Sequence, residues 1–279
     1  MSVPFFLTVT FFSSVVAGIV GALLGLGGGI IVVPVLTLLL GVNIHYAIGA
    51  SIVSVIATSS GAAAAYVRDR ITNIRIGMLL EMATTTGAIS GAFLAGLISP
   101  RWLYIIFALM LGYSALAMFQ KRHQELPTGV VTDPFTAKFR LDGSYYDLAL
   151  QKQVDYKTTG VALAFPMMYV AGVLSGLLGI GSGLFKVLGM DIIMRLPMKV
   201  STATSNFMIG VTAAASAGLY FMRGDIHPFI AAPVALGILL GAHLGTRVMA
   251  HIKSTTLRLI FLPVLLISAL QMLLKGIGW

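Results

Sequence analysis

Ala17-Gly18-Ile19-Val20-Gly21-Ala22-Leu23-Leu24-Gly25-Leu26-Gly27-Gly28-Gly29 returns later in the same chain as Ala171-Gly172-Val173-Leu174-Ser175-Gly176-Leu177-Leu178-Gly179-Ile180-Gly181-Ser182-Gly183. The offset is 154 residues. At that offset Ser51 falls on Ser205, Tyr66 on Tyr220, Gly87 on Gly241, Gly91 on Gly245 and Phe107 on Phe261. Shared glycine- and leucine-rich composition would not preserve spacing at so many positions. The chain is therefore read as two repeats, residues 1–119 and 159–279, joined by a polar loop at 120–158.

Each repeat opens with an apolar run that a glycine cluster interrupts. Phe5–Leu24 exceeds the roughly 18 apolar residues that separate a membrane span from a core helix, and Leu103–Phe119 comes close to it. Hydrophobic residues make up 58% of the 279 positions and charged residues 10%. Soluble globular domains are about one quarter charged, so that class is excluded. A lipid-exposed backbone must satisfy its own hydrogen bonds, which makes the apolar blocks helices. Their expected bounds are 5–24, 30–44, 46–67, 76–98 and 102–119, then 159–178, 184–194, 200–222, 226–250 and 256–275. The blocks 30–44 and 184–194 are short for a crossing, since about 20 residues are needed. The expected fold is an all-α polytopic membrane protein of 8 to 10 membrane segments, each repeat carrying a broken first helix.

Charge decides the relative orientation expected of the repeats. If each broken segment crosses once, the basic residues split eleven to seven between the two faces. If each enters and leaves on one side, Arg68, Arg70, Arg75, the loop residues Lys121, Arg122, Lys138, Arg140, Lys152 and Lys157, and Arg195, Lys199, Arg247, Lys253 and Arg258 share a face. Only Arg101, Arg223 and Lys275 remain opposite, and Lys186 stays within the membrane. That split of fourteen to three is what positive-inside loops require, and it makes the repeats inverted. The net charge of +9 is thereby explained by the membrane, and no nucleic-acid partner is expected.

The loop 120–158 also holds Glu125, Asp133, Asp142, Asp147 and Asp155, and is expected to be a solvated linker. Asp142-Gly143 is a turn signal that admits a small β-hairpin. Met1-Ser2-Val3-Pro4 offers no basic n-region, so a cleavable signal peptide is not expected.

Paired glycine breaks in the two halves of a chain mark secondary transporters. A helix that starts inside the membrane points unpaired N–H groups and the positive end of its dipole into the protein, which suits an oxyanion. Gly27, Gly28, Gly29, Gly181, Ser182 and Gly183 are the candidate site on this ground. Gly87/Gly91 and Gly241/Gly245 are read as helix packing. Lys186, three residues past Gly183 among apolar neighbours, is a candidate anion ligand, because a lysine at membrane depth faces a cavity or a partner. Snorkelling to an interface is its bland alternative. Ser51, Thr204, Ser205 and Asn206 supply uncharged donors, or interhelical hydrogen bonds. Glu81, Asp191 and His243 are isolated polar groups, none of which carries an assignment alone.

Enzyme readings find little. Gly181-Ser182-Gly183 lacks the glycine of a Gly-x-Ser-Gly protease motif, since Ile180 stands there. There is no HExxH stretch, no Walker-type loop and no cysteine, and the five histidines have no ligand spacing. No cofactor or metal is expected.

The doubled Gly-Leu-Gly-Gly-Gly and Gly-Ile-Gly-Ser-Gly pattern, Phe185-Lys186-Val187 and Thr204–Ala213 resemble the TauE/SafE family of membrane permeases. Ser144-Tyr145-Tyr146-Asp147 leading to Val154-Asp155-Tyr156 is similar too. The resemblance covers both repeats, and it implies transport of sulfur oxyanions or organosulfonates such as sulfite or sulfoacetate. Ser182 stands where a third glycine is usual, and Leu188 where the second repeat often has proline, although Pro34 is present in the first. A multi-pass protein of the cytoplasmic membrane is implied, whose partners are the bilayer and a small anion. A coupling ion (proton or sodium) and a homo-oligomer are compatible with it. The open alternatives are a carrier of another anion, such as a carboxylate, and a membrane-embedded enzyme or sensor.

Overall fold

The computed structural model describes residues 3–120, 127, 129–249 and 254–278. Lys121, Arg122, Glu125 and Lys253, counted above among the charges, lie outside the described residues. The first half contains α1 (Val3–Leu24), α2 (Gly29–Pro34), α3 (Ile44–Arg68), α4 (Ile74–Ala95) and α5 (Pro100–Gln120). The second contains α7 (Val161–Leu178), α8 (Gly183–Leu188), α9 (Met198–Met222), α10 (Pro228–Met249) and α11 (Ser254–Ile277). Between them lie α6 (Pro134–Ala137) and strands β1 (Gly143–Asp147) and β2 (Lys152–Tyr156). The architecture is that of an all-α membrane protein, with five helices among the described residues long and apolar enough to cross a bilayer. Helix α9 is as long as α3 but more polar, because it buries Ser201, Thr202, Thr204, Ser205, Asn206, Thr212 and Ser216.

Both short helices continue through one π-helical turn, Val35–Leu39 after α2 and Gly189–Ile193 after α8. The first ends sooner than the expected 44, and the chain runs to the Asn43 cap of α3 without helix. Pro34 precedes the first π turn while Leu188 precedes the second, so the turn does not depend on proline.

Small residues set the helix pairing. A Cβ on Gly87 would lie 2.2 Å from the Tyr169 carbonyl oxygen, and one on Gly91 2.0 Å from that of Val173. Gly241 meets Val15 at 2.1 Å and Gly245 meets Ile19 at 2.7 Å in the same way. These four glycines let α4 lie on α7 and α10 on α1, as expected of small-residue contacts. Partner numbers rise together in both pairs, so each pair runs parallel. Helices α3 and α9 run antiparallel. Gly49 abuts Asp225 beyond the end of α9, whereas Ser59 Oγ donates to the Asn206 carbonyl near its start (2.6 Å). Arg101 at the head of α5 donates to the Gly276 carbonyl at the tail of α11 (3.1 Å), so this pair is antiparallel too.

The loop is more than a linker. Strands β1 and β2 form an antiparallel hairpin, with Gly143 opposite Tyr156 and Asp147 opposite Lys152. Asp142-Gly143 opens β1 and does not form the turn, which lies at 148–151, where Gln151 takes a positive φ of 50°. Asp142 Oδ1 is committed to the Thr158 N–H (2.8 Å) and hydroxyl (3.1 Å). The hairpin is tied to the helices by Asn73 Nδ2, which donates to the Leu141 carbonyl (2.8 Å) and to the Tyr156 hydroxyl (3.0 Å). Lys199 on α9 completes the tie with an ion pair to Asp147 at 2.7 Å.

Candidate functional site

The two glycine clusters are reversals of the chain. Gly25, Gly27 and Gly28 take φ of 71°, 80° and 71°, and their equivalents Gly179, Gly181 and Ser182 take 64°, 73° and 47°. Left-handed backbone is open to glycine and costs other residues, so Ser182 holds its place with strain. Past Gly28 the first chain folds back along α1. A Cβ on Gly28 would lie 3.2 Å from the Ala17 carbonyl oxygen.

The reversals meet each other. A Cβ on Gly29 would lie 3.0 Å from Ile180 Cα, and one on Gly183 only 1.9 Å from the Gly25 carbonyl oxygen. Gly27 and Gly181 each abut both Val55 and Ile209, and these two residues are themselves 154 apart. Val55 is midway along α3 and Ile209 midway along α9. Helices α2 and α8 thus begin at one point in the middle of the bundle. Their first N–H groups have no acceptor within the helix, a property of any helix start.

Hydroxyls on α3 and α9 fix the opposite repeat's reversal. Ser51 Oγ donates to the Gly179 carbonyl at 2.6 Å, and Ser205 Oγ donates to the Gly25 carbonyl at 2.8 Å. Tyr66 donates to the Ala22 carbonyl (3.0 Å) and Tyr220 to the Gly176 carbonyl (2.6 Å), again as equivalents. Asn206 Nδ2 donates to the carbonyls of Ala22 (2.9 Å) and Thr202 (3.2 Å). Asn206 Oδ1 and Ser182 Oγ are buried without a hydrogen-bond partner. Such atoms are few in folded proteins, and a bound ligand is one way to satisfy them.

Lys186 has no exposed surface. Its ammonium donates to the Thr212 hydroxyl and lies 3.5 Å from Glu81 Oε2 on α4. Glu81 Oε1 accepts from Thr212 (2.6 Å) and Thr85 (2.9 Å), and Thr212 lies 3.4 Å from the Thr84 hydroxyl. The lysine therefore does not snorkel. It is held inside by a carboxylate and threonines from α4 and α9.

The pattern of the sulfite exporter TauE/SafE family matches residues 10–272. The chain belongs to the TauE/SafE family. Over 270 residues it is 28% identical to the probable membrane transporter protein YunE of Bacillus subtilis strain 168, covering 94% of this chain and 95% of that one. The probable membrane transporter protein YdhB of the same organism is 28% identical over 232 residues, 82% of this chain and 85% of its own. A probable membrane transporter protein of Xylella fastidiosa strain 9a5c is 27% identical over 251 residues, 89% and 87% of the two chains. No solved structure matches the chain. Family and relatives are named as transporters, not as enzymes.

Within this TauE/SafE member the candidate residues fall into three groups. Gly27, Gly28, Gly29, Gly181, Ser182 and Gly183 form the junction, with Ser51, Ser205 and Asn206 around it. Lys186 joins through α8 and turns to Glu81. Thr204 stands apart, since its hydroxyl accepts the Asn73 N–H (3.0 Å) at the head of α4. Sequence reasoning did not pair Glu81 with Lys186, nor bring in Thr84, Thr85 and Thr212. The available signal was that a buried lysine needs a counter-charge and Glu81 is an acid inside an apolar span.

Proposed function

We propose that this membrane transporter moves a small sulfur-containing anion, such as sulfite, sulfoacetate or a related organosulfonate, across the cytoplasmic membrane. It does so by alternating access around the junction of the two breaks. The observation that carries the reading is the convergence of α2 and α8 on Gly27 and Gly181 between Val55 and Ile209. Two helix starts aimed at one point concentrate partial positive charge, about half an elementary charge each. Ser182 Oγ adds a donor without a protein partner.

Inverted repeats are one common basis of alternating access. The antiparallel run of the equivalent helices α3 and α9 supports them, because a two-fold axis relating antiparallel helices lies across the bundle. Charge supports them too. Arg68, Arg70, Arg75, Lys138, Arg140, Lys152, Lys157, Arg195, Lys199 and Arg247 belong to the end that carries the hairpin, against Arg101, Arg223 and Lys275 at the other. The hairpin end is then cytoplasmic.

The test is uptake of labelled sulfite, thiosulfate, sulfoacetate, taurine and sulfate into proteoliposomes holding the purified chain. Saturable uptake of a sulfur anion supports the reading. Uptake of a carboxylate instead would reassign the substrate, and conversion of an added compound without flux would contradict transport.

A further inference from the structure

The junction is duplicated at 154 residues, but the Lys186 cluster is not. The positions equivalent to Lys186 and Glu81 are Val32 and Ala235, while Thr212 is matched by Thr58. The buried ion pair joins Glu81 of the first repeat to Lys186 of the second, and the equivalent positions hold no charged partner for either. One oxygen of Glu81 is satisfied by the hydroxyls of Thr212 and Thr85. The other accepts no hydrogen bond and faces the Lys186 ammonium at 3.5 Å, longer than the roughly 2.7–2.9 Å of a charge-assisted hydrogen bond. The two charges also stand on unlike elements. Lys186 is on α8, a six-residue helix hung from the Gly181–Gly183 reversal, and Glu81 is on α4, held along α7 by Gly87 and Gly91. A shift of α8 relative to α4 would separate the pair.

Separated charges at this depth each need a new partner. An anion at the junction supplies one for Lys186, which is one helical turn past Ser182. A proton supplies one for Glu81. We propose that Glu81 is the proton-binding site of transport, loaded together with the anion. The anion replaces Glu81 as the counter-ion of Lys186, and the displaced carboxylate takes one proton from the side to which the junction is open. Lys186 stays an ammonium throughout, and one O–H bond forms on Glu81 as one breaks in a hydronium ion of the adjoining water. The cluster is neutral before and after, so one monovalent anion travels with one proton. Sodium is not called for, because the Lys186 ammonium lies against Glu81 Oε2 and the Thr212 hydroxyl and supplies the positive charge there. The inference rests on the anion-transport reading.

Other titratable groups on the surrounding elements are engaged elsewhere. Tyr113 of α5 stacks on Phe185, and Tyr169 of α7 reaches Ser90. On α9, Lys199 pairs with Asp147 and Tyr220 bonds the Gly176 carbonyl. Arg75 of α4 donates to the Arg140 carbonyl, and Asp191 on the π turn after α8 is partnered.

Proteoliposomes with a trapped pH dye test this, using methanesulfonate and thiosulfate, which do not titrate near neutral pH. An inward anion gradient should acidify the lumen, by one proton per methanesulfonate. A proton gradient should drive accumulation in sodium-free buffer, and a sodium gradient should not. Glu81→Gln imitates the protonated acid, so it should keep anion exchange but lose lumen acidification and proton-driven accumulation. Lys186→Met should lose both exchange and accumulation. A merely structural pair predicts equal damage from either change. Where a single variant fails to fold, the wild-type measurement decides. Anion flux without acidification, or flux driven by sodium, overturns the proton site and leaves anion transport standing. Absence of flux for every anion tried overturns both.

Discussion

Ser51 and Ser205, 154 residues apart, each hold the other repeat's reversal, Ser51 through the Gly179 carbonyl at 2.6 Å and Ser205 through the Gly25 carbonyl at 2.8 Å. Neither repeat therefore completes its own break. The reversal of each needs a hydroxyl from the other half, which makes the junction a product of both repeats together.

Because these bonds are buried and fall at equivalent positions, their loss should cost a similar amount, although Ser205 Oγ also reaches the Gly183 carbonyl of its own repeat at 3.1 Å. Ser51→Ala and Ser205→Ala each leave a buried carbonyl short of a donor, a penalty of about 1–3 kcal/mol. Thermal unfolding in detergent should show similar destabilisation for the two. A neutral result for one and a large loss for the other would contradict the shared role.

The packing glycines give a sharper contrast. Gly91→Ala puts a Cβ 2.0 Å from the Val173 carbonyl oxygen and should prise α4 from α7. Folded protein should fall strongly, by an overpacking cost of about 1–3 kcal/mol or more. Gly218→Ala on α9 meets nothing within 4 Å and should be neutral or stabilise by about 0.4–1 kcal/mol. Yield of monodisperse protein from the two variants is the measurement.

Ser182 sits at φ 47° in the place of Gly28. Ser182→Gly should relieve its backbone and stabilise the protein by about 0.5–1 kcal/mol. If its unpartnered hydroxyl meets the anion, the same change should weaken anion binding as stability rises. Calorimetric titration beside thermal unfolding separates the two effects, and unchanged affinity would remove Ser182 from the anion site.

Two carboxylates lock the polar loop, and both respond to acid. Hydrogen bonds from Thr136 and then from the Gly160 N–H hold Asp133 well below the usual carboxylate range. Burial pushes Asp147 up, but the hydrogen bond and charge of Lys199, with the N–H groups of Leu150 and Ala149, outweigh it and leave it lowered. A lowered folded pKa gives stability that is complete above the unfolded value, about 3.9, and is lost as pH falls through the folded value. The hairpin should stay docked at neutral pH and release only below about pH 4. Lys199→Met should move release to higher pH, because burial of Asp147 is then opposed only by the N–H groups of Leu150 and Ala149. Proteolysis of residues 143–156 across a pH series reads this, and release of the wild type near neutrality would contradict it.

Much of the fold could be read from the residues because the repeat preserves spacing. Helix bounds such as Ile44–Arg68 and Met198–Met222 follow from apolar runs, and the reversals follow from Gly25–Gly29 and Gly179–Gly183. Burial of Lys186 in a partnered site followed from its apolar neighbours. Its partner did not, since spacing along α4 does not say which helix Glu81 faces, and that contact depends on how α4, α8 and α9 pack. The different surroundings of Thr204 and Ser205 are hidden for the same reason. Thr204 adjoins Ser205 in sequence but points to the head of α4, whereas Ser205 points to the reversal. The hairpin was underread because Asp142-Gly143 is a turn signal used here to start a strand.

If the proposed mechanism holds, the junction of the two breaks opens to either side of the membrane and holds the anion. The chain has no cysteine, so Ser182→Cys introduces a single thiol there. Sealed vesicles of known orientation, treated with a membrane-impermeant thiol reagent from one side and then the other, measure its access directly. The thiol should react from both sides, slowed in each case by the transported sulfur anion. A thiol that reacts from one side only, or at a rate the anion leaves unchanged, would contradict it.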